Sequence, residues 1–150
     1  MKSIFATIFA LTIILITSCT HDSNSSELSD SLDGRWNLSN VSGGFAGVDI
    51  DYEQGLVSWN FNPGTLILTV ENSVINNGPQ STFLPVQSGD YAYIVLEFNG
   101  NKYLTIEGVG IYENGEFGRF EINEAGDMII DQGESSEGEA ADVYILSFLR

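Results

Sequence analysis

The chain has 150 residues, with 21 Asp and Glu against 5 Lys and Arg, for a formal net charge of −16. Only 17% of residues are charged and 43% are hydrophobic, which is too apolar for a disordered acidic tail and fits a folded chain of one-domain length. The charge excludes nucleic acid as a partner, because phosphate binding needs clustered Lys and Arg.

Lys2 is the sole charged residue before Asp22, and Ile4 to Ile16 then runs for thirteen uncharged residues, IFATIFALTIILI. A membrane-spanning helix needs about 20 apolar residues, so this shorter run reads as the core of a secretory signal peptide. Ile16-Thr17-Ser18-Cys19 follows directly. It resembles the bacterial lipobox, in which an aliphatic and two small residues precede a Cys. The resemblance implies cleavage of residues 1–18 and a diacylglyceryl group on Cys19, the membrane partner being reached through the acyl chains. One acyl chain binds a bilayer only marginally, at about 0.8 kcal/mol per buried CH₂, whereas two or three anchor it stably. Cys19 is also the only cysteine, so the fold has no intrachain disulfide. Thr20, not Asp, follows the Cys; by resemblance to Gram-negative lipoprotein sorting this implies the outer membrane, with the face left open.

Thr20 to Asp33, THDSNSSELSDSLD, carries five Ser, four acids and two Leu without an apolar period. Residues 19–33 therefore read as a lipidated Cys and a disordered tether, of typical span about 20 Å. Residues 34–150 form the folded domain. Short β-branched and aromatic runs separated by Gly and Asn predict strands near 34–41, 56–61, 65–71, 90–98, 102–107, 109–113, 117–122, 127–131 and 142–149. Asn62-Pro63-Gly64, Asn99-Gly100, Asn114-Gly115 and Ala125-Gly126 supply the turns. The stretch 72–85, with two prolines, reads as a longer loop. Alternation places Trp36 with Leu38, Val57 with Trp59 and Phe61, and Leu66 with Leu68 and Val70 on shared faces. In the strand near 90–98 both faces are apolar: Ala92, Ile94, Leu96 and Phe98 on one, Tyr91, Tyr93 and Val95 on the other. The prediction is an all-β fold, a small up-and-down antiparallel barrel of about eight strands or a sandwich.

Gly34-Arg35-Trp36 at the start of the first strand resembles the Gly-x-Trp of lipocalins and of small bacterial lipocalin-like lipoproteins. The segments Gly34–Phe45 and Asp142–Arg150 are similar to that bacterial group as well. The resemblance implies a lipocalin-like barrel in which a basic residue near the last strand packs on the Trp; Gly34, Trp36 and Arg150 are the positions concerned.

The one His, His21, lies in the tether, where neither a zinc site nor a Ser-His-Asp triad has partners. Neither a P-loop, a Gly-x-Gly-x-x-Gly nor a Gly-x-Ser-x-Gly occurs. Asp49, Asp51 and Glu53 alternate, and Glu97 and Glu107 fall on neighbouring strands; these read as solvated surface charge ahead of a hydrolase pair. The acidic run Asp131–Asp142, DQGESSEGEAAD, reads as a flexible solvated loop ahead of a calcium loop, since the EF-hand pattern fails. Trp59, Phe61, Tyr91, Tyr93 and Tyr103 are the candidate lining of a ligand-binding mouth. The expectation is a non-enzymatic envelope binding module for a small apolar ligand, with no cofactor or metal. The alternative is a filled barrel with a structural role or an envelope protein as partner; a carboxylate-based hydrolase ranks third.

Overall fold

A computed structural model of the chain describes residues 31–75 and 78–150. The expected signal peptide, Cys19 and the expected tether up to residue 30 lie outside the described residues. The strands are β1 (Gly34–Gly43), β2 (Val48–Asp51), β3 (Val57–Asn62), β4 (Ile67–Asn72), β5 (Gly89–Phe98), β6 (Asn101–Ile106), β7 (Glu116–Ile122), β8 (Met128–Asp131), β9 (Glu134–Ser135), β10 (Gly138–Glu139) and β11 (Tyr144–Leu149). One helical turn, α1 (Pro79–Thr82), interrupts the long loop between β4 and β5.

Eight strands close a barrel. Each of β3 to β7 pairs antiparallel with the next, β8 pairs with β11, and β11 returns to β1, which also pairs with β3. The fold is thus a small closed up-and-down antiparallel barrel, as the alternation predicts. Closure leaves the sheet without a long open edge. The short β2 attaches beside the second half of β1, through Asn40↔Asp51 to Gly43↔Val48. β9 and β10 form a separate two-stranded ladder.

The interior is built from alternate residues. Trp36, Leu38, Trp59, Phe61, Leu68, Tyr93, Leu104, Ile106, Phe117, Met128, Ile130, Leu146 and Phe148 are all buried. Two bulges set this inventory. Ser39 is extra in β1, between Leu38↔Phe148 and Asn40↔Ser147. Leu38 and Val41 both reach the core although three residues apart, because the bulge resets the alternation. Its polar groups are satisfied: Ser39 Oγ donates to Ser147 O (2.9 Å), and Ser39 O accepts from Tyr52 N (2.8 Å). The second bulge falls where β6 meets β7, beside Gly118. There φ is +154°, and a Cβ would lie 2.5 Å from Asp131 O. Only glycine lets β8 pass that closely.

The turns follow the Asn and Gly signals. Asn99 and Gly100 both have positive φ (52° and 79°), the geometry of a two-residue hairpin turn. Asn62 Oδ1 accepts from Gly64 N and Thr65 N, and Asn123 Oδ1 from Ala125 N and Asp127 N.

Three expectations need correction. Residues 109–113 are turn, not strand: the chain folds back so that Ile111 N and Tyr112 N both donate to Glu116 O, and Gly110 lies so near Gly115 that a side chain could not fit. The strand 48–51 was unforeseen, because four residues give too short a period to read. The run 131–142 is a folded hairpin rather than a flexible loop. Asp131 Oδ1 accepts from Gly133 N within its own turn, and Asp142 Oδ1 accepts from Phe45 N, which ties the run to the β1–β2 turn.

Candidate functional site

The candidate residues divide between two sides of the barrel wall. Trp59 and Phe61 come from β3 and Tyr93 from β5, and all three side chains point inward and are buried. The Trp59 ring lies 4.9 Å from Phe148, 5.7 Å from Phe117 and 6.1 Å from Phe61, centroid to centroid. Phe61 meets Tyr93 edge-on at 5.0 Å. These tilted and T-shaped contacts are the favoured aromatic geometries. A small barrel of eight strands has an interior just wide enough for its own side chains. Here aromatic rings from β3, β5, β7 and β11 occupy it.

Tyr91 is half-buried on the same face of β5, and its hydroxyl donates to Gln87 O at 3.0 Å. Tyr103 is elsewhere. It stands opposite Leu96 and Arg119, on the outer face. It is nonetheless only 5% exposed, because the β9–β10 hairpin folds over it. Ser135, Glu137 and Glu139 line a groove with Phe98 and Tyr103 on that outer surface. The five aromatics therefore do not line one mouth: three pack together in the core, one sits at its border and one lies outside.

Trp59 Nε1 is buried in the core and has no hydrogen-bond partner. Thr105 Oγ1, on the outer face with Tyr103, is buried without one as well. Trp36 Nε1, by contrast, donates to Leu32 O at 2.7 Å. Leu32 itself is fully buried. Sequence reading assigned it to the tether, but it plugs the barrel end and its carbonyl accepts the indole N–H. The Arg150 guanidinium lies 4.5 Å from the Trp36 ring centroid and donates from Nη2 to Asp33 O at 3.3 Å. A cation–π contact of this kind contributes about 0.5–2 kcal/mol. Gly34, at φ +96°, turns the chain between this plug and β1.

Two side chains that sequence reading passed over hold the outer hairpin. Glu116 is buried, and its carboxylate accepts from Ser136 N (2.8 Å) and from Ser136 Oγ. Arg119 forms a two-point ion pair with Glu134, Nε–Oε2 at 2.7 Å and Nη2–Oε1 at 3.3 Å. Such bidentate pairs are directional as well as attractive. Nothing in the local pattern separates Glu116 from the other acids; only the hairpin brings Ser136 to it. Tyr112, whose hydroxyl donates to Gln132 O at 2.8 Å, has its pKa raised by burial foremost.

The remaining acids sit outside. Asn40 Nδ2 donates to both Asp49 Oδ1 (2.8 Å) and Asp51 Oδ1 (3.0 Å) on the outer face of β2. Glu97 pairs across from Lys102 on the β5–β6 ladder, while Glu107 lies past the other end of β6. Among the described residues, no group of three or more His, Cys, Asp or Glu is placed to hold a metal ion. Below the helix, Tyr52 is buried and its hydroxyl donates to Gln80 O (3.0 Å); burial raises its pKa.

Comparison with protein-family models, with curated proteins and with solved structures returned no match.

Proposed function

We propose that this protein is a lipid-anchored, non-enzymatic protein of the bacterial cell envelope, held at the outer membrane through Cys19, whose filled barrel works through its outer surface. The observation that carries the barrel part of this reading is the Trp59 ring packed against Phe61, Phe117 and Phe148. Side chains take the volume a carried molecule would need, which favours contact with an envelope partner over transport. The anchor rests on Ile16-Thr17-Ser18-Cys19 behind the apolar run. The Arg150–Trp36 contact supports the lipocalin-like resemblance. The non-enzymatic reading is supported by the buried carboxylate, Glu116, being spent on Ser136.

Palmitate labelling in cells tests the anchor: wild type incorporates label and Cys19→Ser does not. Equal labelling of both refutes it. A second reading, a small apolar ligand inside the barrel, is favoured by the unpartnered Trp59 Nε1, which would donate to a single acceptor. Native mass spectrometry separates the two. The filled-barrel reading expects the apoprotein mass, and an adduct lost in Trp59→Phe favours the ligand.

A further inference from the structure

The barrel has two unlike ends. Strand directions assign Ser31–Arg35, the β3–β4 turn, the β5–β6 turn, the β7–β8 turn and Arg150 to one end. The described chain starts there: Ser31 lines a surface groove with Gly100, Lys102 and Ile122. Arg35, Lys102 and Arg150 lie at this end, and Arg119 lines the Ser31 groove, against six acids (Asp33, Glu71, which pairs with Arg35, Glu97, Glu121, Glu124 and Asp127). Glu134, Glu137 and Glu139 flank it beside Phe98, and the remaining nine acids of the described residues have no basic residue among them.

The same end presents apolar side chains to solvent. Leu66, Leu96, Phe98, Ile122 and Leu149 are 36% to 51% exposed. Leu96 and Phe98 share the outer face of β5, and Leu66 O is tied to Tyr93 N at 3.0 Å beside them. Phe45, Ile75, Ile111 and Ile145 are exposed near the other end, but they stand on three separate loops and the start of β11, and Ile94 is exposed farther along the outer face of β5.

We propose that the end bearing Leu96 and Phe98 docks on the bilayer surface and turns the acidic end away from it. This rests on the Cys19 anchor proposed above. Position selects the bilayer as the occupant. Cys19 precedes Ser31 by twelve residues, which reach at most ~40 Å when fully stretched. The barrel is about 25 Å tall, from strands of about 3.3 Å per residue tilted by about 40°. An anchor joined at the Ser31 end therefore holds that end nearest the lipid, and the far end reaches the bilayer only when the tether stretches across the barrel height, beyond its typical span of about 20 Å. Charge acts in the same direction, since anionic head groups repel the nine acids of the far part more strongly than an end that carries basic residues. Partly exposed aliphatic and aromatic side chains inserted among head groups add hydrophobic contact to the covalent anchor.

The test uses the acylated full chain on phosphatidylethanolamine–phosphatidylglycerol vesicles. Acylation consumes the one native thiol, so a cysteine introduced by Glu124→Cys (β7–β8 turn) or Glu113→Cys (far end) takes a fluorophore uniquely. With head-group spin-labelled lipid, the label at 124 is quenched and that at 113 is not. The double variant Leu96→Ser/Phe98→Ser reduces quenching at 124 and so narrows this difference, yet it still floats with the vesicles. Equal quenching at 113 and 124 overturns the docking, as does a difference that the double variant leaves unchanged. A dimer in detergent that the double variant dissolves assigns the surface to a second copy and overturns the bilayer assignment. A chain without acyl mass on Cys19 refutes the anchor itself, and the docking with it. Acyl mass with equal quenching refutes the docking alone.

Discussion

Replacing each buried tryptophan by phenylalanine discriminates between two indoles that sit in the same core. Trp59 and Trp36 are both fully buried, and they face each other across the β1–β3 ladder. Trp36 donates from Nε1 to Leu32 O and carries Arg150 on its face. Trp59 has three ring contacts and an N–H without a partner. Trp36→Phe strands the Leu32 carbonyl at a cost of about 1–3 kcal/mol and weakens a cation–π contact of about 0.5–2 kcal/mol. Trp59→Phe keeps a ring against Phe61, Phe117 and Phe148 and removes a desolvated donor, so relief of about 1–3 kcal/mol offsets most of the lost ring area. The expected order is a loss of about 2–4 kcal/mol for Trp36→Phe and below about 1 kcal/mol for Trp59→Phe. In a domain of this size that separates the two melting midpoints by roughly 5–15 °C. Equilibrium urea unfolding followed by far-ultraviolet circular dichroism measures both, free of the fluorescence change that loss of an indole causes. A Trp59→Phe loss equal to or above that of Trp36→Phe refutes the reasoning: it means that Nε1 of Trp59 has an acceptor in solution, a bound water or a ligand inside the barrel.

Three further outcomes follow from the geometry. Tyr52 has its pKa raised above 10.0 by burial, so the folded state holds the phenol proton more tightly than the unfolded one. Its contribution is full below pH 10 and is lost as pH rises through the raised value; Tyr52→Phe therefore shows a shallower alkaline loss of stability in urea titrations above pH 10, and a steeper one contradicts this. Gly118→Ala places a Cβ 2.5 Å from Asp131 O at φ +154° and is expected to lower stability by about 1–3 kcal/mol; a neutral thermal melt would mean that β8 moves freely. Glu116→Ala leaves Ser136 N without its acceptor, at a cost of about 1–3 kcal/mol. Hydrogen exchange at Ser136 and Glu137 accelerates more than exchange in β5 and β6; a uniform increase would show that the hairpin and the barrel open together.

Local pattern alone carried the barrel a long way. Alternation within eight to ten residues defines which side chains share a face, and the Asn-Gly and Asn-Pro-Gly turns define where the chain reverses, because both depend on neighbours a few bonds apart. Trp59 with Phe61, and Leu146 with Phe148, are legible in that way. What alternation leaves open is which face of a doubly apolar strand turns inward. In β5 closure of the barrel decided it, putting Tyr93 and Val95 in the core and leaving Ile94, Leu96 and Phe98 outside. Tyr103 looked equivalent to Tyr93 for the same reason, yet the two lie on opposite sides of the wall.

Burial that depends on distant segments was invisible beforehand. Leu32 reads as part of a polar tether until the Trp36 indole and the open barrel end require an acceptor and a plug. Glu116 reads as one acid among many until residue 136 folds back over it, twenty positions later. The bulges at Ser39 and Gly118 shift the register by one residue and so change which side chains reach the core. Sequence by itself determined the strand class, the turns and the acidity. Tertiary structure decided inside from outside and gave the barrel two unlike ends, because strand pairing and closure are contacts between residues far apart in the chain.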